Sequence, residues 1–447
     1  MLFKHWLISL VSLLTSALWS ITTLASPPFD VPPGLAVAAA AQAKHSQELL
    51  QTTGVVGHGL AVDENGQGII VVFTDDPKPK GTPKWLDGVA VKEVYTGRFY
   101  SLAPPKCGGP PSQRPPECFS DPDPDPEPDP VDPTARFERP VPIGVSTGHP
   151  AITAGTIGAR VTNGTNVFAL SNNHVFANSN DTNVPENMLQ PGPFDGGTEQ
   201  NDTFASLTDY EPILFDGSAN IMDAAVALTS TGELTTSTPA DGYGTPDSTV
   251  NEAVIGMSVK KYGRTTGFTQ GTVDAINASV NVCYEGSSTC TKLALFVGQI
   301  VVTPGTFSAG GDSGSLIVSS NGNNPVGLLF AGSSSHTIAS PIEPVLVRFG
   351  VSIDSDAPPP PPPPPPSGDF SLTASGYKVK GFHKVNLEWS GSEASNVDVY
   401  RDGSVVDTVS NSGFYTDHIN NKGGASYSHK LCEAGTSSCS NTVVTNF

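Results

Sequence analysis

The stretch FSAGGDSGSLIVS, residues 307–319, gathers small residues and an aspartate around Ser313 and then runs straight into Leu-Ile-Val. Glycine and aspartate tolerate backbone angles that other residues avoid, so taken alone the run reads as a tight turn between two strands. The competing reading makes Ser313 a nucleophile in a loop built to stabilise an oxyanion. A serine hydroxyl is a poor nucleophile at neutral pH unless a histidine takes its proton and an acid sets that histidine's tautomer. The rest of the chain has to decide between the two.

The chain carries nine histidines. His5 lies in the N-terminal apolar run, and His45, His58, His383, His418 and His429 lie in flanking segments, which leaves His149, His174 and His336. His149, in the loop GHPA, reads as a surface histidine. His174 sits in VFALSNNHVFAN, where a polar patch interrupts an apolar strand. Such a patch is costly unless its groups are hydrogen-bonded or functional; a satisfied turn histidine is the alternative. Among many carboxylates Asp223 stands apart, because NIMDAAVALT runs it directly into a small-residue apolar strand. A buried aspartate there needs charge-assisted hydrogen bonds. Asp181, Asp202, Asp209 and Asp216 sit among turn residues, where solvated carboxylates are ordinary.

Taken together, SNNHV, MDAAVAL and GGDSGS, in the order His, Asp, Ser, resemble the chymotrypsin-like (trypsin-fold) serine proteases. The GDSGS match is complete. Asn172-Asn173 stand where the family usually has Ala-Ala, and Asp223-Ala224-Ala225-Val226 stand where it usually has Asp-Ile-Ala-Leu. YGRTTGFTQGTV, residues 262–273, is similar to a segment of the secreted bacterial branch that includes α-lytic protease. The resemblance implies two six-stranded antiparallel β-barrels with the site in the cleft between them. It also implies Ser313 as nucleophile, His174 as general base and Asp223 as its orienter, with the Gly311 and Ser313 amides as oxyanion hole. Arg264 is expected to pair with Asp312 and so brace the oxyanion loop. Phe307, six before the nucleophile, is expected at the base of the primary specificity pocket, where no acid favours a basic side chain. His336 is a candidate for recognising an acidic one, with a plain surface histidine as the alternative. No cofactor and no metal are implied.

Composition agrees with an exported β-rich protein. At 447 residues the chain is long enough for two or three domains, and it holds 23 Lys plus Arg against 43 Asp plus Glu, a net charge of −20. That balance argues against nucleic acid or an anionic membrane surface as partner. Residues 1–26 read as a secretory signal peptide cut near Ala25 or Ser26, with a retained anchor as the alternative. The six cysteines form close pairs, Cys107/Cys118, Cys283/Cys290 and Cys432/Cys439, expected as local disulfides in an oxidising compartment. None has CxxC spacing, which argues against zinc.

Two low-complexity stretches divide the chain. Repeated Asp-Pro within residues 106–135 cannot form helix or sheet interior. The nine prolines 358–366, in a linker spanning 357–367, make a semi-rigid spacer of roughly 28 Å at about 3.1 Å per residue. Residues 27–105 then read as a small α+β unit ahead of the main domain, suggesting a pro-domain, with an unrelated accessory domain as the alternative. Residues 136–356 hold eight or more short strands and are expected as the protease domain. Residues 368–447 alternate in strand fashion and resemble a fibronectin type III-like β-sandwich, with Trp389 in its core and Tyr427 at a corner.

The sequence thus predicts a mostly β, secreted bacterial serine endopeptidase, with periplasmic transit as an option. Its substrate would be protein or peptide, its C-terminal unit would meet a surface polymer or protein, and no membrane would be involved after signal removal. The alternatives are an inactive protease-fold binding protein and a protease limited to cutting itself.

Overall fold

The computed structural model describes residues 32–102, 131–286, 289–355, 370–379, 381–392, 394–436 and 438–447. The expected signal peptide, most of the Asp-Pro stretch, the polyproline run, Cys107 and Cys118 lie outside the described residues. The chain divides into two compact units, 1–356 and 357–447.

The first unit opens with Pro33 starting a short 3-10 turn, where a missing amide costs nothing, followed by the alanine-rich helix α1 (Ala36–Gln51). Its Ala38, Ala41 and Leu49 are buried. Strands β1 (Val55–Val62) and β2 (Gly68–Thr74) form a hairpin. In its turn, Asp63 accepts from the amides of Asn65 and Gln67 at 2.9 and 2.8 Å. Short β3 (Trp85–Leu86), β4 (Val89–Tyr95) and β5 (Phe99–Ser101) complete this leader segment.

Next come β6 (Ser146–Thr147), β7 (Gly155–Thr156), β8 (Ala159–Thr162) and β9 (Val167–Ser171), then the single turn α2 (Asn173–Phe176). They are followed by β10 (Asn187–Leu189), α3 (Glu199–Asp202), β11 (Thr203–Tyr210), β12 (Ala219–Asn220) and β13 (Ala225–Thr229). A second set holds β14 (Ser258–Gly263), β15 (Gly267–Glu285), β16 (Lys292–Thr303), β17 (Leu316–Ser319), β18 (Pro325–Gly332) and β19 (Thr337–Pro341). Helix α4 (Ile342–Phe349) and β20 (Ser352–Ile353) end the unit, with the helix where EPVLVRFG predicts a short one.

One sheet runs β10-β11-β13-β9-β8-β20, antiparallel throughout. The other closes on itself as β14-β15-β16-β19-β18-β17, again antiparallel, so it is a six-stranded barrel. Between them, Leu170, Met222 and Val226 from the first side share a buried cluster with Leu316, Val318 and Leu328 from the second. Several of these strands, among them β9, β17 and β18, are buried along nearly their whole length between the two layers.

The leader is more closely joined to this body than its composition suggests. The 19-residue β15 extends beyond the barrel, and its free edge pairs antiparallel with β1, placing Gly57 opposite Val280 and His58 opposite Ser279. Leu60, Ile70 and Val72 of the leader lie in one buried cluster with Val273, Ile300, Val302 and Phe307. A second shared cluster joins Val56, Val71, Phe73 and Phe99 to Val280, Val282, Phe296 and Phe330.

The second unit is a two-sheet sandwich, mostly of short alternating strands. One sheet holds β21 (Ser371–Val379), β22 (Phe382–Ser390) and β25 (Phe414–Lys422); the other holds β23 (Asn396–Arg401), β24 (Ser404–Ser410), β26 (Ser426–Glu433) and β27 (Val443–Asn446). Trp389 lies in its core with Val385, Leu387, Val399 and Leu431. Tyr427 turns its hydroxyl to His383 Nδ1 at 3.0 Å.

Candidate active site

Strand β9 ends at Ser171 and its continuation puts His174 on the one-turn helix α2. The two asparagines before it hold this turn in place. Asn172 donates through its side chain to the Asp223 carbonyl at 2.7 Å, and Asn173 to the carbonyls of Asn180 (side chain, 2.8 Å) and Glu211 (backbone, 2.6 Å). Asp223, just before β13, is fully buried. Its Oδ2 lies 2.6 Å from His174 Nδ1, and its Oδ1 accepts from the His174 amide at 3.2 Å. An ionised carboxylate only accepts hydrogen bonds, so the imidazole carries its proton on Nδ1 and leaves Nε2 with a free lone pair. That Nε2 is buried and has no hydrogen-bond partner among the described residues.

Ser313 stands in the loop before β17 and is itself fully buried. Its hydroxyl donates to the Phe330 carbonyl at 3.2 Å rather than to His174. The loop is fixed by close backbone approaches, with the Thr156 amide donating to the Ser313 carbonyl at 2.7 Å. Gly311 has φ +99°, and a Cβ there would collide with Thr265 Oγ1 and come within 2.9 Å of Arg264 Cδ. Glycine at 311 is therefore required by its backbone angle and by what stands behind the loop. Gly314, at φ +95°, is likewise pressed against Ser171 Oγ and the Thr156 carbonyl.

The expected Arg264–Asp312 pair is replaced by two separate pairs. Arg264 is clasped by Asp195, through Nε at 2.8 Å and through Nη2, and its Cζ lies 5.4 Å from the Phe194 ring centroid. Asp312 instead accepts from the amides of Ala309 (2.9 Å), Thr265 (2.9 Å) and Thr266 (3.2 Å) and from Thr266 Oγ1 (2.7 Å). The nearest cation is Lys261 Nζ, 3.4 Å from Asp312 Oδ2, with both side chains fully buried. Burial pulls the Lys261 ammonium below its ordinary range while Asp312 opposes the shift. The turn after β14 folds its own Thr265 and Thr266 onto Asp312, while the fully buried Arg264 side chain passes behind Gly311 to Asp195.

The leader reaches the loop that carries Ser313. The Leu102 carbonyl accepts the Gly311 amide at 2.8 Å. Upstream, β5 pairs antiparallel with β18, placing Ser101 opposite Ala331 and Tyr100 opposite Gly332. On its other side β5 runs parallel to the end of β15, with Tyr100 opposite Cys283. Phe307 is fully buried, and Leu102 packs against the apolar cluster to which it belongs. His336 is buried, not on the surface: Nδ1 lies 2.8 Å from Ser335 Oγ, Nε2 lies 3.9 Å from Asp274, and its ring meets Phe73 of the leader. Burial lowers its proton affinity, with Asp274 opposing.

His149 is also buried, with Nε2 2.9 Å from Glu186, so the reading of GHPA as a plain surface loop is corrected. Cys283–Cys290 and Cys432–Cys439 are disulfides. Three contributors went unread in the sequence: Lys261, Leu102 and Tyr284. The last donates its hydroxyl to Asp223 Oδ2 at 2.7 Å. Only Lys261, inside the strand SVKKYG, carried any signal, as a charge at a position where strand alternation predicts burial.

A closed antiparallel barrel beside a second six-stranded antiparallel sheet, with Ser313 on one and His174–Asp223 on the other, defines the fold class of the chymotrypsin-like serine proteases. No family model and no curated protein matches the chain. Among solved structures the chain is similar to one described as a glutamic acid-specific serine protease that uses a novel histidine triad in substrate binding. That likeness has 21% identity and a TM-score of 0.35, over 48% of this chain and 100% of the other. Cellulomonas bogoriensis chymotrypsin is similar at 19% identity and TM-score 0.33, over 48% of this chain and 97% of its own. Nocardiopsis protease is similar at 19% and 0.34, over 48% and 99%. Each is a likeness of fold. Among the described residues no helix is long and apolar enough to cross a membrane.

Proposed function

We propose that the chain is the precursor of an exported serine endopeptidase whose leader occupies its own cleft as a substrate would. The observation that carries this reading is the hydrogen bond from the Gly311 amide to the Leu102 carbonyl, made while β5 adds as an antiparallel strand to β18. Strand addition gives a peptide its alignment, and an amide aimed at the carbonyl oxygen stabilises charge that develops there.

The reaction runs as acyl transfer. Ser313 Oγ leaves the Phe330 carbonyl and turns to His174 Nε2, which takes its proton as the oxygen attacks the carbonyl carbon. Asp223 holds the imidazolium, and the Gly311 and Ser313 amides hold the oxyanion. Collapse expels the amine, protonated by His174, and water then releases the acyl group by the same path. In the precursor the first bond so presented is Leu102–Ala103. Leu102 lies beside Gly332, where a Cβ would sit 3.5 Å from Leu102 Cδ1, and joins the cluster of Phe307. This supports an apolar side chain on the acyl side of the cut, with Phe307 in the wall of the pocket. The Asp274 carboxylate near His336 disfavours an acidic one. The C-terminal sandwich is proposed as a fibronectin type III-like module for anchoring or substrate contact.

The test is labelling with a fluorophosphonate probe after secretion. Wild-type product beginning after Leu102 should label, while Ser313→Ala should stay uncut and unlabelled. A released wild-type product that stays unlabelled where a control protease labels would sink the proposal. A narrower reading, activity confined to self-cleavage, is favoured by the leader's place in the cleft. It would be recognised by release of the leader with no turnover of any added protein.

A further inference from the structure

The carboxylate of Asp223 is held by three hydrogen bonds, and one comes from outside the sheet that carries the His–Asp pair. Oδ1 takes the His174 amide; Oδ2 takes both His174 Nδ1, at 2.6 Å, and the Tyr284 hydroxyl, at 2.7 Å. Tyr284 belongs to the far end of β15, on the second barrel's long hairpin. Its ring stacks on Phe296 at 6.2 Å and stands edge-on to Phe215 at 5.4 Å and His174 at 5.8 Å. The hairpin end is tied by the Cys283–Cys290 disulfide immediately beside it, and Cys283 pairs with Leu293 across the ladder. Phenol and imidazole thus converge on one carboxylate oxygen from the two sheets of the first unit.

We infer that Tyr284 is a positioning residue for the His174–Asp223 pair, its hydroxyl fixing the rotation of the carboxylate and drawing off part of the charge that His174 feels. The inference rests on the reading of this site as a protease.

Its physical basis is the donor inventory. An ionised carboxylate offers only acceptors, so the phenol must donate, and a hydroxyl-to-carboxylate bond is charge-assisted and strong. Burial, together with the Asp223 charge, pushes the Tyr284 phenol well above its ordinary range, so the donor proton stays in place across neutral pH. With two donors sharing Oδ2, the carboxylate is a weaker base toward His174 than it would be with one. Removing the phenol hydrogen bond should therefore have two effects at once. The carboxylate is freer to rotate, which slows the chemical step, and it grips the imidazolium harder, which keeps His174 protonated to higher pH. A residue that merely filled space would produce neither the pH effect nor a selective loss in kcat.

The experiment compares the secreted, leader-free wild type with Tyr284→Phe and with 3-fluorotyrosine placed at 284, using a short apolar peptide substrate across pH. For Tyr284→Phe, kcat should fall about ten- to a hundredfold, the range set by one hydrogen bond to a charged group, with KM within about twofold. The acid limb of kcat/KM should move to higher pH. The fluorinated ring keeps the fold and is the stronger donor, so its acid limb should move to lower pH. A second readout needs no turnover: in uncut Ser313→Ala protein, the His174 Nδ1 proton resonance should shift downfield when Tyr284→Phe is added. A wild type that neither releases its leader nor turns over the peptide, yet whose resonance still responds, would sink the protease reading and leave the Tyr284 coupling standing. An active wild type with unmoved acid limbs in both variants and an unmoved resonance would sink the coupling alone. A loss in Tyr284→Phe that lies wholly in KM would overturn it as well.

Discussion

At the scale of single residues, the candidate site rests on charges that are buried and therefore must be paired. Asp312 stands next to Ser313 and holds the surrounding loop by taking four neutral hydrogen bonds and one ammonium. Removing Lys261 strands that carboxylate. Lys261→Met should destabilise the protein by about 3–5 kcal/mol, the usual cost of breaking a buried ion pair. Urea unfolding of the uncut Ser313→Ala background would measure it. Arg264, by contrast, should show coupling to Asp195 and none to Asp312 in double-mutant cycles. Much at this scale was readable: Ser313, His174 and Asp223 each break a local pattern, and a broken pattern is visible without a structure. Lys261 was passed over because the sequence does not say which of two nearby cations, separated by a sharp turn, faces a given carboxylate.

At the scale of elements, the strands were legible because a short apolar run bounded by turn residues is a local signal. VFALS, AVALT and LIVS are such runs, buried along most of their length. The partners of an edge are not local, so the joining of β1 to β15, across more than two hundred residues, left no such mark. The hint was in β15 itself: Val280 and Val282 are buried outside the barrel, which a solvated strand edge would not ask for. The same holds for β5, which is only three residues long and pairs with strands far along the chain. Its place in the cleft makes a sharp prediction. Leu102→Asp puts a carboxylate against the apolar Phe307 cluster, so the uncut chain should accumulate or be cut elsewhere. Mass spectrometry of the secreted protein decides this, and unchanged release after residue 102 would remove the apolar pocket from the account.

At the scale of the whole molecule, the seam between leader and barrel contains a titratable group. His58 of β1 is fully buried, with Nδ1 3.0 Å from Gln42 Nε2 and Nε2 2.8 Å from Ser46 Oγ. Gln42 also bridges to the Asn277 carbonyl of β15 at 2.9 Å. The amide donates to Nδ1 and the imidazole donates to Ser46, so the neutral ring is satisfied and a second ring proton would face a donor. Burial accordingly lowers His58 to about 4 from an ordinary value of 6.5. A folded value below the unfolded one means stability that is fully present above about pH 6.5 and is lost as pH falls through about 4. The loss should be on the order of 3 kcal/mol. In uncut Ser313→Ala protein, the unfolding midpoint should fall over that interval, and His58→Gln should flatten the part of the fall due to this histidine.

The shared apolar clusters have one more implication. Leu60, Ile70 and Val72 finish a core whose other half belongs to the second barrel, yet they lie on the side of Leu102 that the proposed reaction detaches. If that piece departs, the barrel keeps its shape without the surfaces against which it was first formed. What then preserves it is the height of the barrier to unfolding rather than the depth of the folded well. Under that reading the persistence of the remaining barrel would be a rate rather than an equilibrium.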